Sequence, residues 1–307
     1  MRAPCGVSRP ALLAGAVVFL AWPALAQEPP AVRADDAPAQ ATAPAAPAPA
    51  PTPDPDLEID PVQSDFTVIN LPTTLRLPRH SLAFRLTHRF SRPLGDGDFG
   101  DLLADLFGFD SAAQVGLELR FGLFSGTQFG IYRTNDRAID FFLEQDLLRG
   151  HRGSMWGLAF YGSVEGRDNF SEEYSPAASV VLSRKLGKRA TVYAVPAWVG
   201  NTARDFEAAT DDNTLLLGLG TRIRLSSAAY VVAEWTPRLA GFKGIDPSNP
   251  ADRAADQVSF GIEGRVGGHC FQLNFSNYFD TTLATLARGA GSGKDWYIGF
   301  NLSRKFY

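Results

Sequence analysis

The sequence predicts an all-β protein, a closed antiparallel transmembrane β-barrel of about 12 strands and of the bacterial outer-membrane type. Three observations predict it. Segments with strict period-two alternation repeat along the chain, and the connections between them run alternately short and long. An export signal also precedes a chain with no second apolar run of about 18 residues, the length a membrane helix needs.

Arg2 and Arg9 precede an apolar run from Ala11 to Trp22, followed by Ala24-Leu25-Ala26 and then Gln27. A basic head, a short apolar body and a small-residue end make residues 1–26 a secretory signal peptide cleaved after Ala26. The other reading, a retained helical anchor, meets an apolar body too short for a hydrocarbon core of ~30 Å. Cys5 leaves with the signal, so Cys270 stands alone and neither a disulfide nor a multi-cysteine metal site is expected. Residues 27–64 turn to Ala and Pro with scattered acids such as Asp35, Asp54 and Asp60. That composition reads as a disordered periplasmic linker, ahead of a barrel domain over 65–307. The chain has 22 Phe, 5 Trp, 8 Tyr and 29 Gly, ample for one barrel, and a net charge of −4 with interspersed signs argues against a nucleic-acid partner.

Side chains on a strand point alternately to opposite faces. The first segment, 81–91, sets Leu82, Phe84, Leu86 and Phe90 against Arg85, Thr87 and Arg89. The second, 113–123, sets Leu117, Leu119 and Phe121 against Glu118 and Arg120. The same division places Gln128 and Tyr132, then Asp140, Glu144 and Asp146, then Tyr161, Ser163 and Glu165, then Lys185 on the polar face. Further along it places Arg222 and Arg224, Tyr230 and Glu234, Glu263 and Arg265, Gln272 and Asn274, and finally Asn301 and Lys305 there. The segment 190–200 is apolar on both sides and its facing stays open.

A soluble sandwich also alternates. Two features favour the barrel over it. Tight turns at 125–126, 187–188, 226–227 and 267–268 alternate with longer connections near 92–111, 167–175, 201–213, 238–256 and 280–294; the short connection at 135–136 breaks this rule. Aromatics near strand ends, Trp156, Trp198, Trp235 and Trp296, also suit the two interfacial girdles of a membrane barrel. Phe306 continues the apolar register of the last strand and resembles the terminal signal read by the barrel-assembly machinery.

Val68-Ile69-Asn70-Leu71-Pro72, then Leu82 to Phe90 with its His88-Arg89-Phe90 element, then Phe107-Gly108-Phe109-Asp110 together resemble the opening of the DUF5777 family of membrane-bound β-barrels. Gly130-Ile131-Tyr132-Arg133 is similar to that family's strand end. The resemblance spans about residues 66–307. It implies the barrel fold and marks Asn70, Pro72, His88, Arg89, Phe90, Gly108, Asp110 and Arg133 as motif positions; it implies no activity.

The polar face carries basic residues (Arg85, Arg89, Arg120, Lys185, Arg222, Arg224, Arg265, Lys305) and acidic ones (Glu118, Asp140, Glu144, Asp146, Glu165, Glu234, Glu263) in near balance. Balanced signs favour cross-strand ion pairs over a ring of one sign. Anion binding at Arg222 and Arg224, or cation binding at Asp140, Glu144 and Asp146, is the alternative. His88 shares a face with Leu86 and Phe90 and reads as an interfacial hydrogen-bonding residue. A barrel lipid hydrolase would need a serine within its reach, and no His-x-Ser occurs in the chain. The histidines and the cysteine show no metal-ligand spacing, and no glycine run joins a strand to a helix as a phosphate loop would. Leu102, Leu103, Leu106 and Phe107 recur at helical spacing opposite Asp101 and Asp105, which predicts a short amphipathic helix in the first long loop, gating the mouth or packing on the rim. The stretch from Asp65 to His80 is a candidate to fold into the lumen, since Pro72 and Pro78 make it a poor ladder strand.

The leading functional expectation is a passive channel or transport-associated barrel for small solutes, without cofactor or catalysis. The alternative is a structural or docking barrel with a plugged lumen, and an outer-membrane lipid hydrolase is a distant third. The expected partners are outer-membrane lipid, the assembly machinery during insertion, and a periplasmic protein met through residues 27–60.

Overall fold

The computed structural model describes residues 60–108, 111–148, 154–203, 213–242, 254–291 and 293–306. The chain divides into two compact units, Met1–Ala50 and Pro51–Tyr307, and every described residue belongs to the second. The expected signal peptide and the linker as far as residue 59 lie outside the described residues.

The strands are β1 (Leu82–Phe90), β2 (Ala113–Phe124), β3 (Thr127–Thr134), β4 (Ile139–Asp146), β5 (Trp156–Arg167), β6 (Glu172–Leu186), β7 (Ala190–Val199), β8 (Thr214–Arg224), β9 (Ala229–Thr236), β10 (Arg238–Gly241), β11 (Gln257–Val266), β12 (His269–Ser276) and β13 (Tyr297–Phe306). Two short helices, α1 (Phe99–Ala104) and α2 (Leu283–Arg288), lie in connections. Each strand pairs antiparallel with its neighbours in one continuous sheet. β1 and β13 pair from Leu82↔Phe306 to Arg89↔Gly299, which closes the sheet. β9 and β10 both pair with β8, through Leu219↔Trp235 and then Leu216↔Arg238. They are one strand interrupted at Pro237, which has no N–H to give to a ladder. The wall is therefore a closed antiparallel barrel of twelve strands, as expected.

Burial alternates the wrong way for a water-soluble core. On β2, Glu118 and Arg120 are buried while Leu117, Leu119 and Phe121 are exposed. On β11, Gln257, Ser259 and Glu263 are buried while Val258, Phe260 and Ile262 are exposed. The polar face points inward and the apolar face outward, around the whole wall. On β7, where alternation was silent, Thr191, Tyr193, Val195, Ala197 and Val199 point inward, and Val192 and Trp198 outward. Trp156 lies at one end of the wall and Trp198 and Trp235 at the other, where the longer loops are.

Three expectations need correction. The β5–β6 connection is only 168–171, because β6 starts at Glu172, and the β4–β5 connection at the tight-turn end is the longer 147–155. Residues 60–64, assigned to the linker, belong to the barrel interior: Val62, Gln63 and Ser64 are all buried. The first-loop helix does not pack its apolar side on the wall. α1 is capped by Asp98 and Asp101 and buries none of its residues, and the left-handed Leu106 and Phe107 break the helical run. Leu103, Leu106 and Phe107 stay exposed, whereas Gly108 comes down onto the β-carbon of Phe90.

Inward glycines let large rings lie flat across the wall. A β-carbon on Gly130 would fall 2.0 Å from the Phe142 ring, which also stacks under the Arg120 guanidinium at 4.7 Å. Gly130→Val should therefore cost about 1–3 kcal/mol through overpacking, read as a lower temperature for the heat-induced electrophoretic shift of the folded barrel. Gly264→Ala, whose β-carbon meets nothing closer than a carbonyl at 4.0 Å, should leave that temperature unchanged.

Candidate functional site

The barrel interior is filled by its own chain. Residues 60–77 enter at the tight-turn end, reach the middle of the lumen at Ile69 and Asn70, and return to begin β1. This hairpin plug closes on itself: Thr67 and Pro72 form a bridge, Val68 N–H donates to Leu71 O at 2.8 Å, and Thr73 N–H to Phe66 O at 2.9 Å. Among the described residues, 60–77 make no backbone hydrogen bond to any strand of the wall. Prolines at 61, 72 and 78 explain why the segment turns back and joins no ladder.

The turn at the tip fixes a carboxylate. Three consecutive backbone N–H groups, of Ile69, Asn70 and Leu71, donate to Glu234 of β9 at 3.1, 2.9 and 3.1 Å. The Asn70 side-chain amide adds a fourth donor at 2.8 Å, and Gln257 of β11 a fifth at 3.2 Å. Successive N–H groups pointing the same way make an anion-binding nest. Here the nest belongs to the plug and the anion to the wall. Glu234 forms no ion pair among the described residues.

The wall holds the rest of the plug by its carbonyls. Arg222 donates to Thr67 O at 2.8 Å, Gln272 to Val68 O at 2.7 Å, and Asn301 to Ile69 O at 3.2 Å, with Arg85 donating to the same oxygen. Nearer the tight-turn end, Lys305 donates to Ser64 O at 2.8 Å, Arg265 to Asp60 O at 2.9 Å and Gln128 to Leu75 O at 3.0 Å. Asp146 pairs with Arg76, and Lys185 with Asp60 at 2.6 Å. These charges had been assigned to the lumen, and most of them have the plug as a partner.

Ion pairs expected across the interior are present in two groups. Arg222 and Glu263 are fully buried and bidentate, at 3.1 and 2.9 Å. Arg120 meets Glu118 at 2.9 Å and Glu144 at 3.0 Å, its guanidinium between the rings of Phe66 from the plug and Phe142 from the wall, each at 4.7 Å. Arg85 lies 3.7 Å from Glu118. Arg89 departs from the expectation. It is fully buried with no ion pair among the described residues, and donates instead to Asn301 Oδ1 at 2.8 Å and Asn70 Oδ1 at 3.3 Å. Arg224 donates to the carbonyl of Ser226 in its own turn and forms no ion pair among the described residues.

A second segment enters from the loop end. α2, in the β12–β13 connection, is capped by Thr282 and Thr285 and buries Leu283, Ala284, Leu286 and Ala287 in one cluster with Val68 and Leu71 of the plug and with Val181, Val195, Leu216 and Val232 of the wall. Arg238 holds its end through a hydrogen bond to Arg288 O at 2.9 Å and pairs with Asp256 at 3.4 Å. The periodicity of six residues is too short to have marked this helix. Beside it, Asp140 and Glu165 are buried cross-strand partners, with Arg288 4.0 Å from Glu165.

Of the motif positions, Asn70, Pro72 and Arg89 belong to the plug tip and its seat. His88 points outward, stacked on Phe300 at 4.8 Å and tilted to Phe90 at 4.5 Å, and its Nδ1 has no hydrogen-bond partner. Phe90 is covered, contrary to a fully lipid-facing assignment. Arg133 is an exposed outward residue that donates to Asn169 at 2.9 Å, and Asp110 lies outside the described residues. Sequence reasoning had Gln272 and Asn301 on the polar face without a role, and passed over Gly218, Gly220 and α2.

Removing the Glu234 carboxylate should leave the tip donors unsatisfied, at about 1–3 kcal/mol for a buried group. Glu234→Ala is expected to speed amide exchange of residues 69–71 at least about tenfold while amides of β2 and β3 stay protected. The loop end has its own pH response. Burial first, then the nearby carboxylates of Asp136 and Glu165, raise Asp280 from 3.8 to about 6, against the lowering effect of its hydrogen bond with Tyr278. A carboxyl raised in the folded state favours docking most below pH ~4 and loses that contribution as pH climbs through ~6. Amides of 283–288, corrected for intrinsic rates, should therefore exchange faster at pH 7.5 than at pH 4.5, and Asp280→Asn should remove the difference.

No curated protein matches the chain. Among solved structures it resembles the NanC porin (12% identity, 74% of this chain and 99% of that one, TM-score 0.46). It also resembles the COG4313 outer membrane channel from Pseudomonas putida F1 (11% identity, 75% and 97%, TM-score 0.48) and outer membrane phospholipase A from Escherichia coli (10% identity, 80% and 98%, TM-score 0.38). Residues 64–306, which hold the closed wall and all of the plug from Ser64 on, match the membrane bound beta barrel domain family DUF5777, and the chain belongs to that family.

Proposed function

We propose that the protein is a transport-associated barrel of the outer membrane for small solutes, resting closed, whose own N-terminal plug and loop helix must shift for a solute to pass. One observation carries this reading. The wall closes its ladder through β1–β13 and β8–β9 without the plug, and the plug is held by side chains alone. It can leave without opening the sheet. The donors and acceptors it frees line a lumen that water can enter and solvate, whereas ladder bonds broken towards lipid would cost several kcal/mol each.

The export signal at 1–26, the girdle tryptophans and the outward apolar face support an outer-membrane location with both chain ends at the periplasmic, tight-turn end. Lipid is then the partner of the outer face, and the assembly machinery reads the last strand. Residues 27–60 lead directly into the plug, so a periplasmic partner that grips them would pull on it. The reading assigns no reaction to the barrel, and His88 serves as an interfacial residue stacked on Phe300. The plugged lumen favours the second reading, a docking barrel that transports nothing.

Planar-bilayer recording separates the two. Burying an aspartate at the tip and another on the loop helix, Leu71→Asp with Leu286→Asp, should expel both segments and give frequent, well-resolved unitary currents where the parent chain stays largely silent. Absence of currents from the double variant, with its heat-induced electrophoretic shift intact, would remove the channel and leave the docking barrel.

A further inference from the structure

The plug tip sits in a hollow of defined chemistry. Gly220 of β8 pairs directly with Glu234 of β9, and Gly218 lies on the same inward face. A β-carbon on Gly218 would fall 2.5 Å from the Leu71 side chain, and one on Gly220 3.0 Å from that of Val68. The missing side chains create a shallow apolar recess, bordered by Val195, Leu216 and Val232, with a carboxylate at its edge.

The opposite edge is Arg89. The Asn70 carboxamide spans the two: its oxygen accepts from Arg89 Nη2 at 3.3 Å and its nitrogen donates to Glu234 at 2.8 Å. One neutral amide thus bridges a buried cation and a buried anion, and the next residue, Leu71, places an isobutyl group in the glycine recess. When the tip leaves, Glu234 retains Gln257 as donor and Arg89 retains Asn301 and the carbonyl oxygens of His88 and Phe300 as acceptors, all on Nη1, so that Nη2 loses Asn70. Two opposite charges then face the opened lumen with water in place of the amide, a pair of fixed charges that a ligand carrying both complementary charges satisfies better than water does.

A carboxamide beside an isobutyl group is an uncharged copy of the polar end and side chain of an aliphatic amino acid. We propose that Arg89, Glu234, Gly218 and Gly220 form a binding site for a zwitterionic amino acid with a branched aliphatic side chain. Its carboxylate lies on Arg89, its ammonium on Glu234 and its side chain in the glycine recess. Charge-assisted hydrogen bonds replace the neutral ones made by Asn70 and are the stronger kind. The plug tip is then a resident competitor for the site. The inference rests on the channel reading, in that the tip must withdraw, and it names the solute class.

The test uses the full chain in detergent with the tip trimmed, Val68→Gly, Asn70→Gly and Leu71→Gly together, which empties the recess, removes the bridging carboxamide and leaves all four site residues in place. Calorimetric titration with L-leucine should give a saturable heat, weaker in the parent chain. Leucinamide, lacking the carboxylate, and 4-methylpentanoate, lacking the ammonium, should each bind at least about tenfold more weakly, as should L-leucine after Glu234→Gln or Gly218→Ala in the trimmed background. No saturable heat from the trimmed, folded chain, or binding of either singly charged analogue as tight as that of L-leucine, would overturn the site. Currents from the aspartate double variant without leucine binding would overturn this site and leave the channel; leucine binding without currents would do the reverse.

Discussion

Everything in this structure depends on where the backbone hydrogen bonds of the wall go. A sheet in lipid tolerates no open edge, because each unpaired N–H or C=O there has no water to turn to. The twelve-strand wall meets that demand by itself, β1 against β13 and the broken β9–β10 strand against β8. Since the ladder is complete without the plug, the lumen is free to be furnished with segments held by weaker, exchangeable contacts. The inward polarity follows from the same cause. Once the outer face must be apolar, period-two alternation leaves most strand charges on the inside, with Arg133, Arg184 and Arg304 as outward exceptions near the strand ends.

Those inward charges do three different things that one-dimensional alternation cannot tell apart. Arg222–Glu263 and Arg120–Glu118–Glu144 compensate one another, and such buried pairs fix geometry more than they add stability. Arg85, Arg265, Lys305 and Lys185 reach the plug. Glu234 and Arg89 have no ion pair among the described residues and meet at one carboxamide of the plug tip. That last arrangement concentrates the electrostatic asymmetry of the lumen at one place, halfway down its length.

The wall was legible in the sequence because two-residue periodicity is a local signal: β1, β2, β11 and β13 have the predicted facing residue by residue. β7 was not, because its inner face is apolar too, and it became readable only once α2 and the plug tip were seen to pack there. Of the stretch Asp65 to His80, expected in the lumen from its prolines, 65–77 enter while Arg79 and His80 stay exposed, and Asp60 to Ser64 were assigned to the linker, since an Ala/Pro-rich stretch carries no sign of what covers it. Leu102 to Phe107 gave a helical signal and α2 gave none, although the weaker signal is the one that enters the barrel. Helical spacing reports an apolar stripe, whereas entry into the lumen is decided by Arg238 and by the apolar wall opposite. His88-Arg89-Phe90 was singled out as a unit, and the structure divides it: Arg89 faces in to the plug, His88 and Phe90 face out.

The wall grips the plug mainly through its carbonyl oxygens, at Asp60, Ser64, Thr67, Val68, Ile69 and Leu75. Main-chain oxygens are common to all amino acids, so this grip is indifferent to which side chains the hairpin displays. Asn70 is the exception that fixes register. A fold built this way can vary the side chains of its stopper while keeping one lock.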